Sequence, residues 1–481
     1  MNTTPPDMTH YLVIDQGGHA SRAILFNASG NVLRQACVEI ETLHPQASYV
    51  EHDPQALMAS IYQAINRCLD GLNPSQVHIA AAGLATQRSS IMCWDKYSGE
   101  ALSNVISWQD CRAAEWMAQF KDNNAIHEIT GLYPSAHYGA SKIHWCLQHL
   151  PKVQAARDTG CLVIGPLASF IAYRLCDEKP LFADPTNGSR TLLLNLKTIN
   201  WDDNLLNLFN IPKSILPRCQ NNQYNFGTLS TKHYSIPLTL VIGDQSAAVF
   251  HNGFPQENAA YINLGTGAFV QRTLSTTLSA NHRLLSSIIY RDEQHTWYSL
   301  EGTVNGAGSA LSWFEQHYDS EKAWQNNFDN WLTSPANNLF FMNTIGGLGS
   351  PYWLSNLTPQ FIGEGSLQEK FCALIESILF LIMKNLETFN QYLSPPERLI
   401  VSGGLSQSSA LCQRLADLTQ TPVHRPNERE ATARGACFLL APPSTSSWKQ
   451  AETIKFIPNK NDTLLKRYRT WELHIQKFIS N

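Results

Sequence analysis

A chain of 481 residues exceeds what one hydrophobic core organises, and a usual domain size of ~100–200 residues makes two large lobes the simplest arrangement. With 43% hydrophobic residues, including 12 Trp, 16 Tyr and 20 Phe, there is ample apolar surface to bury, which excludes a disordered chain. Lys+Arg of 35 against Asp+Glu of 39 leaves a formal net charge of -4, and no dense Lys/Arg run is present, so neither nucleic acid nor an anionic membrane is expected as partner. The start, MNTTPPDMTHYLVIDQ, lacks a basic stretch followed by an apolar core. The most apolar later segment, Ile375 to Met383, is interrupted by Glu376 and too short to span a bilayer. Eleven cysteines lie singly from Cys37 to Cys437 with no C-x-x-C pair, the pattern of reduced thiols, and a cytoplasmic location is expected.

Short apolar runs punctuated by glycine alternate with longer amphipathic stretches, as in mixed α/β domains. Tyr11 to Ile14 leads into Asp15-Gln16-Gly17-Gly18-His19-Ala20-Ser21-Arg22 and a second apolar run, Ala23 to Phe26. Leu238 to Ile242 delivers Asp244-Gln245, and Tyr261 to Leu264 leads into Gly265-Thr266-Gly267 and then Ala268-Phe269-Val270. Both glycine tips read as β-hairpins whose backbone N–H groups can approach an anion closely. One such tip is ordinary turn chemistry; two, one near the start of each half, point to a phosphate held from both sides. Late in the chain, Arg398 to Val401 runs into Ser402-Gly403-Gly404-Leu405-Ser406 and the helical pattern Ala410, Leu411, Leu415, Leu418. That strand–turn–helix offers a nucleotide the positive end of a helix, although a plain βα connection looks the same.

In their order, these segments resemble the FGGY carbohydrate kinases, closest in pattern to the glycerol kinase type, from about Tyr11 to Leu440. The resemblance rests on Asp15-Gln16-Gly17 with Ser21-Arg22, Val50-Glu51-His52-Asp53-Pro54, Thr86-Gln87-Arg88, Trp94-Asp95-Lys96, Trp108-Gln109-Asp110, Asn187-Gly188-Ser189-Arg190-Thr191, Gly243-Asp244-Gln245, Gly265-Thr266-Gly267, Pro351-Tyr352-Trp353 and Gly403-Gly404. It implies an α/β fold of two RNase H-like, actin-like domains with the active site in the cleft between them, residues 1–246 binding substrate and 247–481 binding ATP. The implied activity is ATP- and Mg²⁺-dependent phosphorylation of a hydroxyl of a small neutral polyol or sugar. Homo-oligomerisation is left open.

Carried over residue by residue, the resemblance makes Asp244 the base that accepts the proton of the attacking hydroxyl, and Asp15 the magnesium-side carboxylate. Gly17, Gly18 and His19 in the first loop and Gly265, Thr266 and Gly267 in the second would hold the ATP phosphates. Gly308, Gly404 and Ser408 would line the nucleoside end. Arg88, Ser89, Trp108, His137, Asp244, Gln245 and Phe269 would form the acceptor pocket, although a surface arginine and two core aromatics are the plainer readings of Arg88, Trp108 and Phe269. Three departures matter: Ser89 stands where the family has Glu, His137 where it has Tyr, and Gly18-His19 where it has two threonines. Losing the carboxylate and a larger ring predicts room for a longer polyol or an open-chain ketose, while the xylulose kinase pattern Gln-Met-His-Gly is absent at Gln87-Arg88-Ser89-Ser90. Few cations gather among these residues, so a phosphorylated acceptor is not expected. The alternative is a catalytically degenerate sensor or scaffold that closes on ATP without transfer, favoured by the altered first loop and Ser89 and opposed by the joint presence of Asp15, Asp244 and Gly265-Thr266-Gly267.

Overall fold

The computed structural model describes residues 9–277, 283–333, 338–355, 357–427, 430–440, 448 and 451–480. Its first large sheet consists of β1 (Thr9–Gln16), β2 (Ala20–Asn27), β3 (Val32–Glu39), β4 (His78–Thr86), β5 (Gln223–Ser230) and β6 (Ser235–Gly243), in the order β5-β6-β4-β1-β2-β3. The second consists of β7 (Ala259–Leu264), β8 (Ala268–Leu274), β9 (Leu285–Arg291), β10 (Thr296–Val304), β11 (Arg398–Ser402), β12 (Val423–Pro426) and β13 (Thr453–Phe456), in the order β9-β10-β8-β7-β11-β12-β13. Each contains the same five-strand core. In β3-β2-β1-β4-β6 the first three strands are antiparallel and the last two add in parallel. The same senses recur in β10-β8-β7-β11-β12. This duplicated RNase H-like topology is the actin-like, two-lobed fold that the sequence pattern implies.

The apolar strands are continuous rather than alternating because both faces of each sheet are covered. Leu12 and Ile14 of β1 pack with Leu57, Ile61 and Ile65 of helix α1 (Pro54–Leu69), whereas Tyr11 and Val13 face the opposite way into a cluster with Ala433, Ala436 and Cys437. Asp53 caps α1, accepting from the Ala56 N–H at 2.7 Å, and Pro54 opens it, so the chain turns sharply into the helix. The second cluster comes from helices α2 (Asp244–Ala248) and α6 (Ala431–Leu440), the latter lying late in the chain yet packed on the first sheet. Where α2 and α6 meet, a Cβ on Gly435 would sit 1.8 Å from the Ala247 carbonyl oxygen, so only glycine permits the two backbones to touch.

Helices α3 (Gly308–Tyr318), α4 (Leu367–Phe389) and α5 (Ser409–Thr419) belong to the second lobe. The apolar run Ile375 to Met383 lies inside α4, which Ser366 and Glu369 start with a capping box, and it packs against β8, β10 and the helix Asp462–Ser480, whose Tyr468 and Trp471 meet Phe380, rather than against lipid. Among the described residues no helix is long and apolar enough to cross a membrane. None of the eleven cysteines, all of them among the described residues, forms a disulfide.

Candidate active site

Strand register assembles the site. Parallel pairing aligns Gln16 with Thr86 and Thr86 with Gly243, so β1, β4 and β6 end at one edge of the sheet. The segments leaving those three ends, Gly17-Gly18-His19, Gln87-Arg88-Ser89 and Asp244-Gln245, must then converge. A hydrogen-bond chain extends this edge outward: Gln87 Nε2 donates to Gln16 Oε1 at 3.2 Å, Ser90 Oγ donates to Gln87 Oε1 at 3.0 Å, and the Trp108 N–H donates to Ser90 Oγ at 3.0 Å.

These residues enclose a cavity of about 240 Å³ that also receives Phe269 and Glu301 from the second lobe. All seven acceptor-pocket residues expected from the sequence, Arg88, Ser89, Trp108, His137, Asp244, Gln245 and Phe269, line it, together with Gly18 and His19 at the first loop. The plainer readings fail for two of them: Arg88 is buried, and Trp108 stands 38% exposed on the cavity wall instead of in a core. The His137 ring stands edge-on to Trp108, with centroids 5.6 Å apart. Ser89 holds a left-handed backbone, φ 63°, at the turn leaving β4.

The sequence reading missed Arg190 and Glu301. Arg190 Nη2 donates to Glu301 Oε2 at 2.9 Å, and Gln271 Nε2 donates to the same oxygen at 2.8 Å, so a buried ion pair joins the lobes at the cavity wall. Burial pushes the Glu301 carboxyl up, but Arg190, Arg88 and the Gln271 hydrogen bond outweigh it and the net shift is downward. The expectation that few cations gather here is therefore corrected: Arg190 joins Arg88, and Lys142 lies behind His137. Neither newcomer is free. Arg190 is paired, and the Lys142 ammonium donates to the carbonyls of Ala136 and His137 at 2.9 and 2.6 Å, while burial pushes it down to about 7. Arg88 donates through Nη2 to Gln245 Oε1 and is held at about 10 by burial and by Arg190. Among the described residues, polar atoms of the wall such as Arg88 Nη1, Ser89 Oγ and Arg190 Nε are buried without a partner, the state expected of groups that bind a ligand bearing hydroxyls.

Asp244 opens α2 and accepts from the Gln245 N–H at 2.6 Å through Oδ1. Burial raises its pKa against the pull of Arg88, which suits a group that must take a proton. Asp15 is pushed up to about 7, chiefly by burial and next by the Asp244 charge, with Arg22 opposing. A buried carboxylate raised by the charge of a second one nearby suits a hard divalent cation held by one or two protein oxygens and water, so the donor set fits Mg²⁺. Because the folded pKa of Asp15 exceeds the unfolded value near 4, the folded state holds the extra proton between them and Asp15 costs stability increasingly as pH rises from about 4 to 7. In the absence of metal, Asp15→Asn should raise Tm more at pH 8 than at pH 5 and should impair Mg²⁺-dependent turnover. Equal gains in Tm at the two pH values would exclude the buried charge as their cause.

The two glycine hairpin tips lie beside this cavity. Gly17 N–H closes the first tip on the Ala20 carbonyl at 3.0 Å and Gly265 N–H closes the second on Gly267 at 2.9 Å. Among the described residues the amides of Gly18 and Thr266 meet no acceptor. The second loop is locked to α3: Gly308 N–H donates to the Gly265 carbonyl at 2.9 Å, and Ser309 N–H to that of Thr266 at 3.0 Å. Gly403 has φ 92°, and a Cβ there would meet the Leu264 carbonyl at 2.5 Å, so β11 can leave the sheet beside the second loop only through glycine. Gly404 is exposed and faces open space. Ser408 is already committed: its Oγ accepts from the Leu411 N–H at 3.0 Å, capping α5, and donates to Asp329. A nucleotide contact there would have to displace Asp329.

Two RNase H-like lobes, two glycine hairpins and a cavity between them that holds a buried aspartate define a kinase of the actin-like fold. The sequence matches the family models for the N-terminal domain (residues 10–250) and C-terminal domain (residues 260–441) of the FGGY family of carbohydrate kinases, and the chain belongs to that family. It is 33% identical over 465 residues to a glycerol kinase of Borreliella afzelii, covering 93% of this chain and 91% of that one. The structure of a Plasmodium falciparum glycerol kinase with ADP superposes with a TM-score of 0.90 at 25% identity, covering 99% of both chains. A ligand-bound xylulose kinase of Lactobacillus acidophilus, 21% identical, shares the fold with a TM-score of 0.85 over 98% of each chain. The chain is thus a phosphotransferase that uses ATP to phosphorylate an alcohol group of a polyol or sugar. Nothing among these relatives supports the non-transferring alternative.

Proposed function

We propose that this kinase phosphorylates a neutral polyol or open-chain ketose longer than glycerol, with residues up to about 246 holding the acceptor and those from about 247 holding ATP and Mg²⁺. The observation that carries the reading is the single cavity lined by Asp244, Arg88, Gln245 and Trp108, with polar atoms left unpartnered on its wall. Its formal charges are balanced: Arg190 answers Glu301 and Arg88 lies beside Asp244, so the cavity offers hydroxyl partners without a spare cation pair for a phosphate.

In the reaction the acceptor rests against Trp108 and Phe269, which shed water from its carbons, while Arg88 and Gln245 bind its hydroxyls. Asp244 takes the proton as the oxygen attacks the γ-phosphorus and the bond from that phosphorus to the bridging oxygen breaks, that oxygen leaving with ADP, while the free amides of the two glycine loops hold the phosphate oxygens. Magnesium, held at Asp15, would offset charge on the phosphates.

Ser89 and His137 decide which acceptor fits. Removing a carboxylate acceptor from glycerol's hydroxyls costs on the order of 1–3 kcal/mol, roughly a 5- to 150-fold loss in kcat/KM, so glycerol should be a poor substrate. The double variant Ser89→Glu and His137→Tyr should raise kcat/KM for glycerol relative to four- and five-carbon polyols and ketoses. A wild type that already prefers glycerol, or a double variant with the same ranking, contradicts this specificity.

A further inference from the structure

The acceptor cavity contains one more polar group, which phosphoryl transfer itself leaves unused. His52 ends the two-residue strand Glu51–His52, which pairs antiparallel with Val105–Ile106, His52 standing opposite Val105. The partner strand runs straight into Ser107, Trp108 and Gln109, so one small sheet supplies this whole side of the cavity. His52 itself lines the cavity and is 2% exposed.

Its hydrogen-bonding state is set by its partners. Nδ1 lies 3.0 Å from the Glu41 carbonyl oxygen; a carbonyl only accepts, so Nδ1 must bear the hydrogen. Burial lowers the pKa of the ring, and His19 and His44 lower it further against the opposing Glu41 contact, so the ring is neutral. A neutral imidazole with its hydrogen on Nδ1 has a bare lone pair on Nε2. That atom is buried and has no partner among the described residues. The other orphaned atoms of the guanidinium groups, Arg88 Nη1 and Arg190 Nε, are donors, and Ser89 supplies a hydroxyl where the resembled family supplies a carboxylate. A polyol hydroxyl donates as well as accepts, so the bare His52 Nε2 complements these orphaned donors. His52 stands on the small sheet that leads into Ser107, Trp108 and Gln109, whereas Asp244 opens α2, so the two groups reach the cavity from different elements.

We propose that His52 Nε2 accepts a hydrogen bond from a hydroxyl of the acceptor remote from the one phosphorylated, making His52 a specificity-determining residue for acceptors longer than three carbons. The inference rests on the proposed polyol kinase function.

Steady-state kinetics of the full chain with ATP, Mg²⁺ and three-, four- and five-carbon polyols test it. His52→Leu should raise KM for the longer polyols roughly 10-fold, the order expected for one unmade hydrogen bond, with kcat and the KM for glycerol within about twofold. His52→Gln, whose amide can donate to the Glu41 carbonyl and present its oxygen to the cavity, should stay within about threefold of wild type. His52→Phe keeps the ring without its nitrogens and should behave as His52→Leu, which preserves the test if leucine does not fold. Equal KM shifts for glycerol and the longer polyols, or no shift for either, overturn the role of His52 alone. A wild type that turns over neither a polyol nor an open-chain ketose overturns the underlying function, and this inference with it.

Discussion

Asp244→Asn should lower kcat/KM by about 10²–10⁴-fold, the range for loss of a positioned general base, while ATP affinity stays within about twofold of wild type. The asparagine is nearly isosteric and keeps an oxygen for the Gln245 N–H that Asp244 Oδ1 accepts at 2.6 Å, so the start of α2 should survive. What it cannot do is take the proton. Nucleotide binding is expected at the loops carrying Gly265 and Gly404, which Asp244 does not build, hence the separation of effects. Single-turnover phosphate transfer and ATP titration calorimetry on the same preparation check it; a variant with near-native transfer would remove Asp244 from the chemistry.

The second large effect concerns the pair that joins the lobes. Arg190→Met should cost about 3–5 kcal/mol of stability, because it leaves Glu301 charged and buried with its partner gone. Both side chains are nearly fully enclosed, 6% and 2% exposed, so water cannot substitute. The loss should shrink as pH falls, since the stranded carboxylate, its pKa raised by burial, can then take a proton. The double variant Arg190→Met and Glu301→Leu should recover much of the loss, since an apolar pair removes the unpaired charge. Urea denaturation at pH 5 and pH 8 measures this, and a single variant as stable as wild type at pH 8 would show the pair to be energetically idle.

Much of this fold is written locally. Leu12 to Ile14 are apolar without alternation because a helix covers each face of β1, and the glycines after Gln16 and Leu264 mark tips that a packing strand would not need. Asp244 and its neighbours were legible as an ordered set of motifs, and register then brings them together. Other features depend on contacts that no local pattern encodes. Arg190 lies in one of the ordered motifs, Asn187 to Thr191, but its partner Glu301 is 111 positions away and reads as an ordinary charged residue in a strand, so the pair itself is not visible. The periodicity of α6 shows that it has an apolar face, but not that this face covers a sheet from the other half of the chain. Ser408 stands before a helix, where capping and nucleotide binding call for the same residue type, and the structure commits its hydroxyl to the cap and Asp329. The bare nitrogen of His52 was invisible because it depends on a tautomer that the Glu41 carbonyl imposes.

The most direct measurement of the central claim is ADP release from ATP and Mg²⁺ across a panel of neutral polyols and open-chain ketoses, with Asp244→Asn in parallel. At least one acceptor of four or five carbons should raise ADP release well above the rate without acceptor, appear as its phosphate ester in equal amount, and do neither with Asp244→Asn. If no acceptor in the panel raises ADP release above the rate without acceptor, or if Asp244→Asn matches the wild type, the account of this cavity as a polyol phosphorylation site is contradicted.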